Sequence, residues 1–206
     1  MQGESRIKIK VIIGSTRKNR FSDKPGHWIY TEAKKKADEV EILDLRDYPM
    51  PFYNEPVSPA MSGGKYSNEI VNKWSEKIMD GDAFIIVTPE YNHGYPAVLK
   101  NALDSIFPEW NRKAVGFVSY GNAGGARSVE QLRQVVIELQ MVPIRSAIHI
   151  PVDVYMAVMN EKVPVDPDLF KPLRDRLDRI EVFLTELISM AKTLKVAREQ
   201  KSKIYT

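Results

Sequence analysis

Short, almost uninterrupted aliphatic runs alternate along the chain with longer stretches whose apolar residues recur every three or four positions. The short runs predict strands at Lys8–Ile13, Val40–Leu45, Ala83–Val87, Ala114–Ser119 and Val142–Ile150. Several are apolar at nearly every position, as strands covered on both faces are. The longer stretches predict helices. Ser22–Ala37 carries Trp28, Ile29 and Ala33 on one side. Tyr66–Met79 places Ile70, Val71, Trp74 and Ile78 along a core-facing stripe. Ala97–Ile106 and Ser128–Leu139 repeat the pattern, and Asp168–Leu194 gives a final helix. Pro25 and Gly26 fall inside the first of these and predict an irregular first turn. Strand and helix alternating five times imply a parallel sheet with helices on both faces.

Two segments lack either period. Residues 46–67 hold four prolines and the pair Gly63–Gly64, and residues 152–168 follow the last strand; both predict long loops. The polar stretch 196–206 predicts a fraying tail. No repeat or low-complexity tract divides the 206 residues, so a single domain, 1–206, is expected.

Composition narrows the chemistry. The chain has no cysteine, which excludes disulfides and thiolate catalysis. Its net charge of +3 is dispersed along the sequence, without the clustered stripe that nucleic acid requires. No apolar stretch is long enough to span a membrane, and no hydrophobic signal core precedes the first strand, so a cytoplasmic location is expected. The three histidines, His27, His93 and His149, are scattered and form no visible triad.

In an open parallel sheet, ligands bind beyond the carboxyl ends of the strands. Three post-strand loops stand out there. The first, "GSTRKNRFS" (14–22), lacks the endings of a triphosphate or dinucleotide loop. It still offers the hydroxyls of Ser15, Thr16 and Ser22, amides near a helix start, and the Arg17 fork, which suit a phosphate monoester. A polar loop with Ser22 as a helix cap would explain it equally well. The second, "TPEYNHGYPAVLKNALD" (88–104), sets Pro89, Glu90, Tyr91 and Asn92 in a row, the mixture that a flat heteroaromatic ligand uses. The third, "SYGNAGGAR" (119–127), has three glycines in five positions and permits close backbone approach. Each loop alone also reads as an ordinary turn; the three at corresponding positions favour a ligand site.

On "GSTRKNRFS", "TPEYNHGYPAVLKNALD" and "GGARSVEQLR" (124–133), in this order and spacing, the chain resembles the NADPH-dependent FMN reductase family, over about residues 7–150. The resemblance implies a flavodoxin-like α/β/α fold with a five-stranded parallel sheet in the order 2-1-3-4-5. It places Ser15, Arg17 and Ser22 at the FMN phosphate, with Thr16 behind them and Phe21 alongside. Pro89, Glu90, Tyr91 and Asn92 would follow the ribityl chain and ring. Ser119, Tyr120 and Gly121 would sit at the pyrimidine end, with Gly124 allowing close approach. It further implies non-covalent FMN, NADPH or NADH as co-substrate, and a small-molecule acceptor such as a quinone, azo dye, metal oxyanion or flavin. Ping-pong kinetics are expected, with no catalytic side chain or metal. The helix carrying Lys100, Asn101 and Asp104 resembles one that packs across a homodimer interface, with a tetramer as the larger option. The rival from another class is a flavodoxin-type electron carrier. Such carriers are usually acidic, and the positive net charge argues against one.

Overall fold

The computed structural model describes residues 6–160 and 178–204. The five aliphatic runs form β1 (Lys8–Ile13), β2 (Glu39–Asp44), β3 (Ala83–Pro89), β4 (Ala114–Tyr120) and β5 (Val142–Ile150). All neighbours pair in parallel, in the order β2-β1-β3-β4-β5. This is the flavodoxin-like order, and it brings the ends of β1, β3 and β4 side by side. The central strands are apolar throughout because each face is covered. On one face Ile9, Val11, Ile85, Val87 and Val118 pack with Trp28 and Ile29 of α1 (Asp23–Lys34), and with Phe183, Leu184 and Leu187 of the last helix. On the other face Ile12, Phe84, Ile86 and Phe117 meet Trp74 of α2 (Glu69–Asp80), Leu99 of α3 (Ala97–Asp104) and Leu132 of α4 (Ala126–Glu138). Each such fully buried side chain contributes roughly 1.5–3 kcal/mol.

Several expectations are corrected. The first helix is regular from Asp23, because Pro25 lies in the opening turn, where its nitrogen needs no acceptor, and Gly26 N–H bonds Ser22 O at 3.0 Å. The second helix starts at Glu69 rather than Tyr66, where Asn68 Oδ1 accepts from Ile70 N–H at 2.8 Å and Val71 N–H at 3.3 Å. The segment after β5 begins not as a loop but as helix α5 (Val152–Asn160), which buries Val154 and Val158 one turn apart. The rest of that expected loop, and the start of the expected final helix, lie outside the described residues. The final helix, α6 (Asp178–Ile204), continues past Leu194, where the apolar pattern places its end. Arg198 holds it there, donating to Arg112 O and to Asp82, both at 2.7 Å. Among the described residues no helix is long and apolar enough to cross a membrane.

The amino-terminal edge of the sheet, opposite the three loops, gathers charge. Asp82, just before β3, accepts from Lys8 N–H at 3.1 Å, Lys195 Nζ at 2.9 Å and Arg198 Nη2 at 2.7 Å. Nearby, buried Lys113 donates to the α2 carbonyls of Ile78 and Met79 at 2.7 and 2.8 Å. Burial, seconded by the Arg198 charge, pushes the Lys113 ammonium down to about 7. Between that value and the ordinary 10.5 the unfolded chain holds the proton more tightly than the folded one. Folding stability is therefore expected to rise with pH across this window, by at most about 1.4 kcal/mol per unit from this one group. Urea unfolding at pH 7 and pH 9.5 should show the gain in the parent and its loss in Lys113→Met. An equal pH slope in both proteins would assign the effect elsewhere.

Candidate functional site

Strand β1 is followed by Gly14 for a packing reason. Its N–H bonds Val87 O at 2.9 Å, and a Cβ there would lie 2.9 Å from Leu99 Cδ2 and 3.0 Å from that same carbonyl. Only glycine lets α3 close against the end of β1. The chain then turns outward as the exposed segment Thr16–Asn19 and returns at buried Arg20.

Beyond the strand ends lies a cleft of about 400 Å³, within the range of small-molecule sites. Its lining includes Arg17 from the first loop, Pro89 to His93 from the second, and Tyr120 to Asn122 from the third. Seven of the residues singled out from sequence meet there: Arg17, Pro89, Glu90, Tyr91, Asn92, Tyr120 and Gly121. Ser15 joins them through a 2.9 Å hydrogen bond between its Oγ and Tyr91 OH.

The second loop is a tight turn. Tyr91 N–H bonds Gly94 O at 2.8 Å and Gly94 N–H returns to Tyr91 O at 3.0 Å. Its two central residues, Asn92 and His93, are left-handed (φ 49° and 71°), as in a type I′ turn. Neither is glycine, so neighbours must hold the turn. Arg127 does so from the first turn of α4. Its Nε donates to Glu90 Oε1 at 2.5 Å and its Nη1 to His93 Nε2 at 2.8 Å. Gln131 Nε2 adds a bond to His93 O at 3.1 Å. The Glu90 carboxylate, 4% exposed, is thus committed to Arg127.

The remaining expected residues lie around the cleft rather than in it. Phe21 is buried, edge-on to Tyr120 and to Tyr155 of α5 at 4.7 and 4.8 Å between ring centres. Ser22 is buried at the N-cap position of α1, but its side chain makes no cap bond; its Oγ bonds Tyr120 OH at 2.5 Å. Both residues therefore hold Tyr120 in place, and burial raises that phenol above its ordinary range. Ser119 lies beneath the third loop, donating to Gly124 O at 2.7 Å. Its Oγ is 2.9 Å from His149 Nδ1, an imidazole that burial pushes down in pKa. Gly124 has φ +64° in that loop. Thr16 is not among the cleft's lining residues and instead lines a second depression of about 380 Å³ with Tyr48, Met50, Phe52 and Val98.

Sequence reasoning missed four lining residues: Asn122, Tyr155, Arg127 and His93. Tyr155 stacks on Tyr120 at 5.7 Å and 27°, and it escaped because its segment was read as a loop; the one-turn spacing of Val154 and Val158 was the available signal. Arg127 stood in a quoted block, but its partner Glu90 lies 37 positions away. His93 acquires its place only through the turn.

A lining that combines the Arg17 guanidinium and the Asn92 and Asn122 amides with the rings of Tyr91, Tyr120 and Tyr155 suits a phosphorylated, ring-bearing ligand. Comparisons with known proteins point the same way. The NADPH-dependent FMN reductase family model matches residues 7–153. An NAD(P)H-dependent FMN reductase of Schizosaccharomyces pombe is 39% identical over 149 residues, covering 71% of this chain and 74% of the yeast protein. An NAD(P)H:quinone oxidoreductase of Solanum tuberosum is 32% identical over 145 residues, 68% of this chain and 73% of the potato protein. Among solved structures, a flavoenzyme NAD(P)H:(acceptor) oxidoreductase from Paracoccus denitrificans superposes with a TM-score of 0.64 at 22% identity, over 89% of this chain and 98% of that one, a likeness of fold. With a match running from the first strand into α5 and through all three cleft loops, the chain belongs to the NADPH-dependent FMN reductase family.

Proposed function

We propose that the cleft binds FMN non-covalently and that the protein is an NAD(P)H-dependent FMN oxidoreductase delivering electrons to a small-molecule acceptor. One observation carries this reading: Ser15 Oγ bonds Tyr91 OH at 2.9 Å, tying the phosphate-type loop directly to the ring-type loop. Bound flavin would supply the hydride and electron chemistry; the protein supplies position and field. Arg17, exposed at the cleft mouth, offers a charged fork to the phosphate. Tyr91 and Tyr120 present ring surfaces, and Gly121 lets backbone approach. The cleft's open side serves donor and acceptor in turn, which gives ping-pong kinetics with a quinone, azo, metal-oxyanion or flavin acceptor. Relatives named as quinone and azo reductases support the first two classes.

The decisive experiment is anaerobic addition of NADPH to purified protein loaded with FMN. Bleaching of the flavin bands, followed by recovery with a quinone, is expected. Flavin that stays oxidised under NADPH but accepts electrons from a partner reductase would establish the carrier reading. Arg17→Ala is expected to weaken FMN binding by about 1.5–3 kcal/mol, the range for a charge-assisted hydrogen bond. An unchanged FMN titration would remove Arg17 from the site. The self-association expected from sequence fits the exposed apolar residues Phe52, Met61 and Val98 in and beside the 46–67 loop; sedimentation would report a homodimer or tetramer.

A further inference from the structure

Arg20 lies between the first loop, the end of β2 and the start of α1, with its side chain 1% exposed. Its partners use all five guanidinium N–H groups. Nε donates to Asp23 Oδ1 at 2.8 Å and Nη1 to Asp44 Oδ1 at 2.7 Å. Nη1 also donates to the carbonyl of Ser15, and Nη2 bonds both Asp23 and Asp44. A second guanidinium repeats the motif from the other side: Arg46 Nη2 donates to Arg17 O at 2.7 Å. The Arg46 backbone is held as well, its N–H bonding Asp44 Oδ1 at 2.9 Å, and its guanidinium lies 3.8 Å from Asp23 Oδ2. Burial alone would raise the Asp44 carboxyl, yet Arg20 and the Arg46 amide hold it below its ordinary value.

These bonds orient peptide planes. No peptide in the described chain is cis, and in a planar trans peptide the N–H points opposite to the C=O. With the Ser15 carbonyl turned onto buried Arg20, the Thr16 N–H is turned away from it. With the Arg17 carbonyl turned onto Arg46, the Lys18 N–H is likewise reversed. Charge matters as well. Asp23 and Asp44 would repel a phosphate dianion nearby, and the two arginines offset both.

We infer that Arg20, assisted by Arg46, is the positioning residue of the phosphate loop: the two arginines engage the Ser15 and Arg17 carbonyls, leave the Thr16 and Lys18 N–H groups for the anion, and neutralise Asp23 and Asp44 without touching the ligand. This rests on the FMN reading above. It gives Arg20 a task separate from that of Arg17, three residues earlier, and one that lysine cannot perform, having three donors and no planar fork.

The test compares FMN with riboflavin, which lacks the phosphate, by fluorescence titration of the apoprotein. The parent should prefer FMN. In Arg20→Lys that preference should fall about tenfold or more, and in Arg46→Ala several-fold, as expected when charge-assisted bonds that organise a site are lost, with riboflavin affinity within about twofold of the parent. A variant that merely loosened the fold would weaken both ligands together. Should Arg20→Lys fail to fold, Arg46→Ala decides alone, because its partly exposed side chain can be removed without stranding a buried charge. A preference for FMN equal to the parent's in the folded variants would overturn the inference and leave the FMN reading standing. A parent with no preference for FMN over riboflavin would overturn the reading and the inference together.

Discussion

Asp82→Ala is expected to cost about 3–5 kcal/mol of folding stability, the range for removing one partner of a buried ion pair. At this chain length that lowers the melting midpoint by roughly 6–20 °C. The Asp82 side chain is 9% exposed and serves Lys195 and Arg198 on α6, as well as the Lys8 amide. Without it, those two cations share a corner with Lys113, whose ammonium is already depressed by burial and by Arg198. The loss is therefore repulsion as much as missing attraction. Asp82→Asn keeps the shape and some hydrogen bonds and should fall between parent and alanine variant. Differential scanning calorimetry of the three proteins measures the ordering. A midpoint for Asp82→Ala within 2 °C of the parent would show that the cluster is energetically neutral.

Gly125→Ala should combine a stability loss with a damaged cleft. Gly125 precedes α4 with φ +77°, and a Cβ there would lie 2.6 Å from Ser119 Cβ and 2.8 Å from the backbone nitrogen of Tyr120. The left-handed conformation costs a non-glycine residue about 1–2 kcal/mol, and overpacking typically adds about 1–3 kcal/mol. Because the atoms in the way belong largely to the end of β4, the backbone has to move. That movement displaces Tyr120 and breaks the Ser119 bond to the Gly124 carbonyl. FMN affinity should therefore fall about tenfold or more even at temperatures where the variant is folded, since sites lose most when their supporting shell shifts. Unchanged melting and an unchanged FMN titration would mean that the third loop yields freely and does not shape the cleft.

Particular residues show why much of this architecture was legible from sequence. Ile85, Ile86 and Val87 are apolar on consecutive positions because helices cover both faces of β3, and that pattern alone fixes a buried parallel strand. Element ends were less legible. Asn68, not the preceding aromatic, starts α2, because capping chemistry outranks the apolar stripe. Within the site, local signals found Tyr91 and Tyr120, which lie at or just beyond strand ends. They chose Arg17 for the phosphate but pointed Arg20 toward solvent or a partner, whereas it is buried; the local sequence carries no record of Asp44, which reaches Arg20 from β2. Nor could they show that Ser22 and Ser119 are committed inside the protein, to Tyr120 OH and to Gly124 O. Arg127 was hidden for the same reason: its meaning depends on a partner in another loop.

The tie between Asp82 and α6 also bears on the order in which the protein can complete itself during synthesis. Asp82 leaves the ribosome 113 residues ahead of Lys195 and 116 ahead of Arg198. All five strands, and every described residue lining the cleft, emerge earlier than the two cations that neutralise it. A nascent sheet can thus pair its strands while its amino-terminal edge still carries an uncompensated carboxylate. Emergence of α6 then closes that edge, which makes the helix farthest along the chain a late lock on strands made at the start.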